Sequence, residues 1–165
     1  MQDILQTIQR WAPALVSLFT SAVFLDSLRY KFTNAPQTQV IFGKLDAWSA
    51  SLGLPGLFAP TGLFSQYVIG TAELAASALL LTGLIFTPLR LLQPLGALVG
   101  LAVMTGAIGF HLFTPLGVDP NNDGGGLFRA AVAVWIGCAA LLVMRAGDLG
   151  ILAHRVAGLF APVAG

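Results

Sequence analysis

Residues 67–86 read YVIGTAELAASALLLTGLIF, and Glu73 is the only acidic or basic residue in the stretch. Such a run is as long as the roughly 20 apolar residues that a helix needs to cross a bilayer. An ionisable group at membrane depth costs about 2.5–3.5 kcal/mol on insertion scales. We therefore predict that Glu73 faces inward and pairs with a cation from a neighbouring helix, which would be Arg29, Lys31 or Arg129.

The composition of the whole chain supports a membrane protein. Of its 165 residues, 56% are hydrophobic and 9% are charged, against roughly 25% charged residues in soluble domains, and mean hydropathy is +0.84. The net charge is +1 and no basic run occurs, which argues against nucleic acid as a partner. The single cysteine, Cys138, excludes an internal disulfide and a CxxC redox pair.

Four apolar segments have the length of spanning helices. They predict an all-α, four-helix transmembrane bundle in one domain, residues 1–165, with helices at about 11–28, 66–87, 94–113 and 127–145. Within helix 3, Gly96 and Gly100 have GxxxG spacing and are followed by Gly106 and Gly109, a pattern that favours close helix packing.

Two further segments have the pattern of helices that lie along the membrane surface. In the first long loop, residues 38–52 carry apolar residues at helical spacing: Ile41, Leu45, Trp48 and Leu52. This predicts a short interfacial helix that ends at the Gly53–Gly56 breaker. The C-terminal tail predicts a second one, with these apolar residues: Ile151, Leu152, Val156, Leu159 and Phe160.

Because successive spans alternate in direction, one end of the bundle collects ionisable groups from all four helices. The predicted site residues are Asp26, Arg29, Tyr30, Lys31, Glu73, His111 and Arg129. We predict a polar pocket there that binds a ligand or handles protons, and Asp26 and Arg29, three residues apart, can also pair along helix 1. Histidine ordinarily titrates near neutral pH, which suits His111 for proton exchange. The alternative is a purely structural cluster, and the opposite end is expected to carry only flanking arginines.

Metal and haem sites are not predicted. Asp119, Asn121 and Asp123 have the spacing of a calcium loop, but the closing glutamate is replaced by Ala130, so they are weak metal candidates. Asx turns explain the loop better, with Asp123 or a glycine starting the last helix. His111 and His154 are expected on opposite sides of the membrane, too far apart to share a haem iron.

Several motifs together resemble the DoxX-like family of small four-helix bacterial membrane proteins, over roughly residues 15–145. They are Arg29 with the Lys31–Phe32 step, LGLPG at 52–56, GTAELAASALLLTGL at 70–84, His111 closing helix 3, and NNDGGGLF at 121–128. The most specific part is the pattern of Gly70, Glu73, Leu74, Leu79, Leu80 and Gly83. The resemblance implies that Arg29 and Glu73 form a shared polar pair, with His111 and Asp123 near it. It also implies an association with membrane oxidoreductase systems, which include a thiosulfate:quinone oxidoreductase subunit of a related type.

Function and location are predicted on these grounds. The leading hypothesis is a subunit or partner of a membrane redox system whose pocket takes a quinone or a small substrate, with electrons supplied by an external cofactor or partner. The alternatives are a non-catalytic assembly or accessory protein and a small-solute carrier, which is disfavoured because no span is broken at the midplane. The predicted partners are the lipid bilayer and either subunits of a redox complex or further copies of this chain in a homo-oligomer. We expect a bacterial inner membrane protein with cytoplasmic termini, on the positive-inside rule.

Overall fold

The computed structural model describes residues 2–159, which form six α-helices and one short 3-10 helix at Thr87–Leu89, without a strand. The helices are α1 (Gln2–Phe32), α2 (Pro36–Ser51), α3 (Gln66–Ile85), α4 (Leu92–Phe113), α5 (Gly126–Met144) and α6 (Ala146–Leu159). Within these residues, α1, α3, α4 and α5 are long and apolar enough to cross a membrane. The predicted all-α four-helix transmembrane bundle is confirmed.

The predicted bounds hold for most helices and fail for the first. α1 begins at Gln2 and continues to Phe32, because residues 29–32 are charged or aromatic and do not interrupt a helix. The chain turns only after Phe32, where Asn34 takes a left-handed conformation at φ 51°. In the C-terminal tail α6 is present, but Phe160 lies outside the described residues, and the side chain of Leu159 is also not described.

The four long helices form a closed ring in which α1 and α4 each pack against both α3 and α5. Their shared core is made of these side chains: Phe24, Ala76, Leu80, Ala97, Met104, Ala131, Val134, Cys138 and Leu141. Gly96 and Gly100 allow the close approach predicted for them, since a Cβ at Gly96 would lie 2.8 Å from the Ala76 carbonyl oxygen. The same prediction is wrong for Gly106 and Gly109, which face open space.

The distribution of polarity is that of a membrane protein. Large apolar side chains point outward from the spans, among them Phe113 at 82% exposure and Val143 at 78%. Polar side chains such as Ser17, Gln93 and Glu73 lie inside instead. An apolar outer surface on helices of spanning length requires lipid around it, because water would solvate it poorly. The chain is therefore a small multi-pass membrane protein.

One end of the bundle is covered by α2 and the loops at 52–65 and 114–125, and we call it the cap end. Leu45, Phe58 and Leu116 form a second small core there, and the Phe58 ring meets the edge of Phe110 at 5.1 Å between centroids. The helix predicted at 38–52 is present as α2. Its Ile41, Leu45 and Trp48 contact this cap core, whereas Leu52 is exposed.

The other end carries α6, and we call it the α6 end. Asp148, in the first turn of α6, connects this helix to the bundle: its Oδ1 lies 3.1 Å from Arg90 Nε, and its Oδ2 lies 3.6 Å from Arg145 Nη1. Arg90 belongs to the connection between α3 and α4, and Arg145 follows α5. Two ion pairs thus hold the first turn of α6 against the ends of three spans.

Candidate functional site

At the cap end, Glu73 of α3 is buried at 3% exposure and pairs with Lys31 of α1, whose side chain is 15% exposed. Lys31 Nζ donates to Glu73 Oε1 at 3.1 Å and to Oε2 at 3.0 Å. Ser27 Oγ donates to Oε2 at 2.9 Å and accepts a hydrogen bond from Lys31 Nζ. The inward orientation of Glu73 and its pairing with a neighbouring cation are confirmed, and the cation is Lys31.

Helix geometry explains why Lys31, and not Arg29, reaches Glu73. Ser27 and Lys31 are four residues apart and share one face of α1, whereas Arg29 lies about 200° around the helix from each of them at 3.6 residues per turn. On α3, Gly70 precedes Glu73 by about one turn, and a Cβ added there would be 3.5 Å from the Lys31 Cβ and Cδ atoms. The aliphatic part of Lys31 therefore runs over the bare backbone of Gly70 toward the carboxylate.

A second contact joins the same two helices about two turns of α3 nearer the cap. Gln66, buried at the start of α3, donates from Nε2 to the Lys31 carbonyl oxygen at 2.9 Å and to Asn34 Oδ1 at 3.0 Å. One of the last carbonyl groups of α1, which has no partner within the helix, is bonded in this way. The position of Lys31 is consequently fixed through its backbone as well as its side chain.

Asp26, Arg29 and Tyr30 form a separate group on the outside of α1. Arg29 Nη2 lies 2.9 Å from Asp26 Oδ1, with side-chain exposures of 64% for Arg29 and 60% for Asp26. The same nitrogen donates to Tyr30 Oη at 2.9 Å, and the guanidinium lies 4.6 Å from the centroid of the Tyr30 ring. The predicted pairing along the helix is confirmed, but the pairing of Arg29 with Glu73 that the family resemblance implies is wrong.

His111, in the last turn of α4, is buried and has its own partners. Its Nδ1 lies 2.6 Å from the carbonyl oxygen of Gly117, and its ring meets the edge of Phe128 at 5.5 Å between centroids. A carbonyl oxygen only accepts hydrogen bonds, so Nδ1 carries the proton and, in the neutral ring, Nε2 presents a lone pair. Arg129, at the start of α5, is exposed and forms no ion pair with any described residue.

The loop of the weak metal candidates uses its carboxylates to hold the backbone. Asp123 Oδ1 accepts from the N–H groups of Gly125 and Gly126 at 2.9 and 3.0 Å, and Oδ2 accepts from Leu127 at 3.0 Å. Asp119 Oδ1 accepts at 2.8 Å from the N–H of Asp123, four residues further along this turn. The bond from Leu127 is the main cause that lowers the pKa of Asp123 below its ordinary value. Asp123 thus satisfies free N–H groups at the start of α5, as expected, and Asn121 contributes no bond to this turn.

Inside the bundle near the α6 end, a polar network was not foreseen from the sequence. Gln93, fully buried at the start of α4, donates from Nε2 to Ser17 Oγ at 2.8 Å, while its Oε1 accepts from Arg145 Nε at 2.8 Å. The expectation that this end carries only flanking arginines is therefore wrong. Gln93 beside a proline in an otherwise apolar helix was the signal available in the sequence.

Between the two polar ends, α1 buries two more hydroxyl groups, Thr20 Oγ1 and Ser21 Oγ, which lack a hydrogen-bond partner among the described residues. On α3, Ser77 Oγ donates to the carbonyl oxygen of Glu73 at 2.9 Å. No group of three His, Cys, Asp or Glu residues that could hold a metal ion occurs within residues 2–159.

Comparison of the chain with protein-family models, with curated proteins and with solved structures gives no match. A function is therefore inferred below from the contacts of the chain's own residues.

Proposed function

We propose that this chain is a non-catalytic accessory protein of a membrane assembly, in which the Lys31–Glu73 pair fixes the packing of α1 on α3. The observation that carries the proposal is that the two side chains use their bonding capacity on each other and on Ser27. The three ammonium hydrogens of Lys31 correspond to three acceptors, Glu73 Oε1, Glu73 Oε2 and Ser27 Oγ. Both carboxylate oxygens are engaged, so a ligand would have to displace an existing bond.

The surface available to a partner outside the bilayer supports the same proposal. At the cap end a groove of about 340 Å³ lies between the start of α2 and the 114–125 loop. Its lining is mostly amide and proline: Pro36, Gln37, Val40, Pro120, Asn121 and Asn122. Uncharged amides both donate and accept hydrogen bonds, which suits contact with a polypeptide, and we expect the partner subunit to bind there.

The test is whether assembly depends on the charges of the pair or only on the packing that the pair maintains. Wild type and the double variant Lys31→Met/Glu73→Met are purified in mild detergent and compared by native mass spectrometry. The accessory function predicts that the double variant keeps the co-purifying subunits of the wild type. A folded double variant that loses a small-molecule adduct of quinone mass present on the wild type would contradict it and support a ligand pocket.

A second candidate function, a quinone-binding subunit of a membrane redox system, is favoured by His111. With its proton held on Nδ1 by Gly117, the Nε2 lone pair of the neutral ring can accept the hydroxyl proton of a quinol. The resemblance to the DoxX-like family through the Gly70–Glu73 pattern supports this candidate and, as a proposal, membership of that family. The external cofactor or partner that supplies electrons belongs to the same proposal.

Two amide variants of His111 test the redox candidate. The amide nitrogen of His111→Asn takes the place of Nδ1 and can still donate to Gly117, but nothing replaces Nε2. His111→Gln places its amide nearer the position of Nε2. If a quinol binds Nε2, His111→Asn loses co-purifying quinone and His111→Gln retains part of it. Equal quinone content in wild type and His111→Asn would exclude this role for His111.

The proposed orientation, with both termini in the cytoplasm of a bacterial cell, is testable by cysteine labelling. Cys138 is the only cysteine in the sequence and is buried, so the wild-type chain should react little with a maleimide. Gln6 and Ser51 are exposed on the two sides of the first span, and Ser51 lies outside the groove proposed for the partner. A membrane-impermeant maleimide added to intact spheroplasts should label Ser51→Cys and not Gln6→Cys, and the reverse pattern would invert the topology.

A further inference from the structure

At the α6 end, two arginines from separate segments line a groove that plays no part in the contacts of Glu73. The groove has a volume of about 280 Å³ and lies between the connection that follows α3 and the middle of α6. Its lining residues are Thr87, Pro88, Arg90, Leu91, Ile151 and Arg155. It therefore combines two guanidinium groups, one hydroxyl group and apolar side chains in one concave surface.

The charges around the groove leave it positive. Arg90 bonds to Asp148 through Nε, and Asp148 also pairs with Arg145. Arg155 forms no ion pair within the part of the chain that the structure describes. Three arginines and one aspartate give this group a net charge of +2.

The groove lies at the depth of lipid headgroups. Arg90 is in the short connection between two spans, α3 ending at Ile85 and α4 beginning at Leu92, so it marks the membrane surface. Ile85, Phe86 and Leu89 next to it are exposed, and these apolar side chains require contact with acyl chains. A positive groove with apolar side chains on its membrane side matches the layout of a phospholipid, whose charged head is followed by apolar tails.

We propose that this groove binds the phosphate of an anionic phospholipid, with Arg90 and Arg155 as the phosphate ligands. Guanidinium groups donate paired hydrogen bonds to phosphate oxygens, and basic pockets between transmembrane helices bind anionic headgroups. The net positive charge favours phosphatidylglycerol or cardiolipin over zwitterionic lipids, because a choline headgroup would place its own cation beside the arginines. The lipid tails then lie along Ile85 and Phe86, and bound lipid connects α6 to the α3–α4 connection.

The experiment is native mass spectrometry of the purified full-length chain titrated with phosphatidylglycerol, cardiolipin or phosphatidylcholine. The wild type should bind the two anionic lipids in preference to phosphatidylcholine. Arg155→Gln should weaken anionic lipid binding about fivefold, the contribution expected of one arginine near an anionic surface. Arg90→Gln should weaken it at least as much, but this variant also loses the bond to Asp148, so Arg155→Gln is the decisive one.

The matched control is Arg129→Gln, which removes an exposed arginine at the cap end and should leave anionic lipid binding unchanged. A titration in the presence of millimolar inorganic phosphate distinguishes a site for a lipid phosphate from a site for free phosphate. Loss of bound lipid in its presence would show a site for free phosphate and overturn the proposal. Equal lipid affinity in wild type and Arg155→Gln would overturn it as well, as would an equal loss in Arg129→Gln.

Discussion

Lys31 and Glu73 form an ion pair inside the bundle, with Nζ 3.0 Å from Oε2 and 3.1 Å from Oε1. The two residues come from α1 and α3, and Ser27 bonds to both of them. Removing one member of a buried pair leaves an uncompensated charge, whereas replacing both members with apolar residues of similar volume is often neutral. The free energy of unfolding should therefore depend on the two residues jointly, whereas the charges on the outer surface of the same helix should contribute little to it.

The surface pair provides the first prediction. Asp26 and Arg29 are more than half exposed, so Arg29→Gln should lower the free energy of unfolding by no more than about 1 kcal/mol. Detergent-based unfolding followed by tryptophan fluorescence measures the change. A loss of several kcal/mol would show that Arg29 holds the buried carboxylate, as the family resemblance implies.

Close helix packing at Gly96 provides the second prediction. A Cβ there would lie 2.8 Å from both the Ala76 carbonyl oxygen and the Leu80 nitrogen, so Gly96→Ala should force α3 and α4 apart and cost about 1–3 kcal/mol. Gly106→Ala is the matched control on the same helix, because a Cβ there meets nothing within 4 Å. Thermal unfolding should show Gly106→Ala to be neutral or slightly stabilised, and equal effects of the two variants would contradict the packing described.

The third prediction concerns two serines on one face of α1. Replacing them with alanine should change the free energy of unfolding in opposite directions. Ser21 Oγ is buried without a partner among the described residues, so Ser21→Ala should raise the free energy of unfolding by about 1 kcal/mol. Ser17 Oγ accepts from Gln93 Nε2 at 2.8 Å, so Ser17→Ala should lower it by a similar amount. Destabilisation by Ser21→Ala would indicate that its hydroxyl is bonded after all.

Asp123 provides a prediction of pH dependence. Hydrogen bonds from the backbone, that from Leu127 first, lower the pKa of this carboxyl from its ordinary value of 3.8. A carboxyl with a lowered pKa in the folded state stabilises the fold above its unfolded pKa, and the contribution is lost as the pH falls through the folded pKa. Asp123→Ala should therefore lower the free energy of unfolding at neutral pH, by no more than about 1 kcal/mol because water screens this exposed carboxylate, and the difference from wild type should shrink as the pH is lowered below 3.8.

The control for this prediction is Asp26→Ala. Its carboxylate is exposed and bonds to Arg29, without contacts to backbone N–H groups in the described residues. A difference between wild type and Asp123→Ala that stays constant across this pH range would show that the carboxylate of Asp123 does not hold the start of α5.

Hydropathy and residue spacing were enough to predict the class of fold and the inward orientation of Glu73. A run of twenty apolar residues determines a spanning helix, and a single carboxylate inside it needs a cation. The choice between Arg29 and Lys31 depends on the helical phase of α1, which continues through Phe32 and places Lys31 on the same face as Ser27.

Other features were not predictable from local patterns. His111 bonds to Gly117, six residues away across the end of α4, and shares none of its described partners with Glu73. The Gln93 network joins residues separated by 76 and 52 positions along the chain, and no sequence spacing reveals such pairing. Gln93 is not among the predicted site residues because it carries no charge, although a buried amide also needs hydrogen-bond partners.

The most direct test is a double-mutant cycle on Lys31 and Glu73, in which Lys31→Met, Glu73→Met and the double variant are unfolded in detergent. Each single change should cost about 3–5 kcal/mol, and the double variant should lie within about 1 kcal/mol of the wild type. The coupling energy between the two residues would then be large and favourable. If the single effects simply add in the double variant, with a coupling energy near zero, the two side chains do not form the pair that holds α1 against α3.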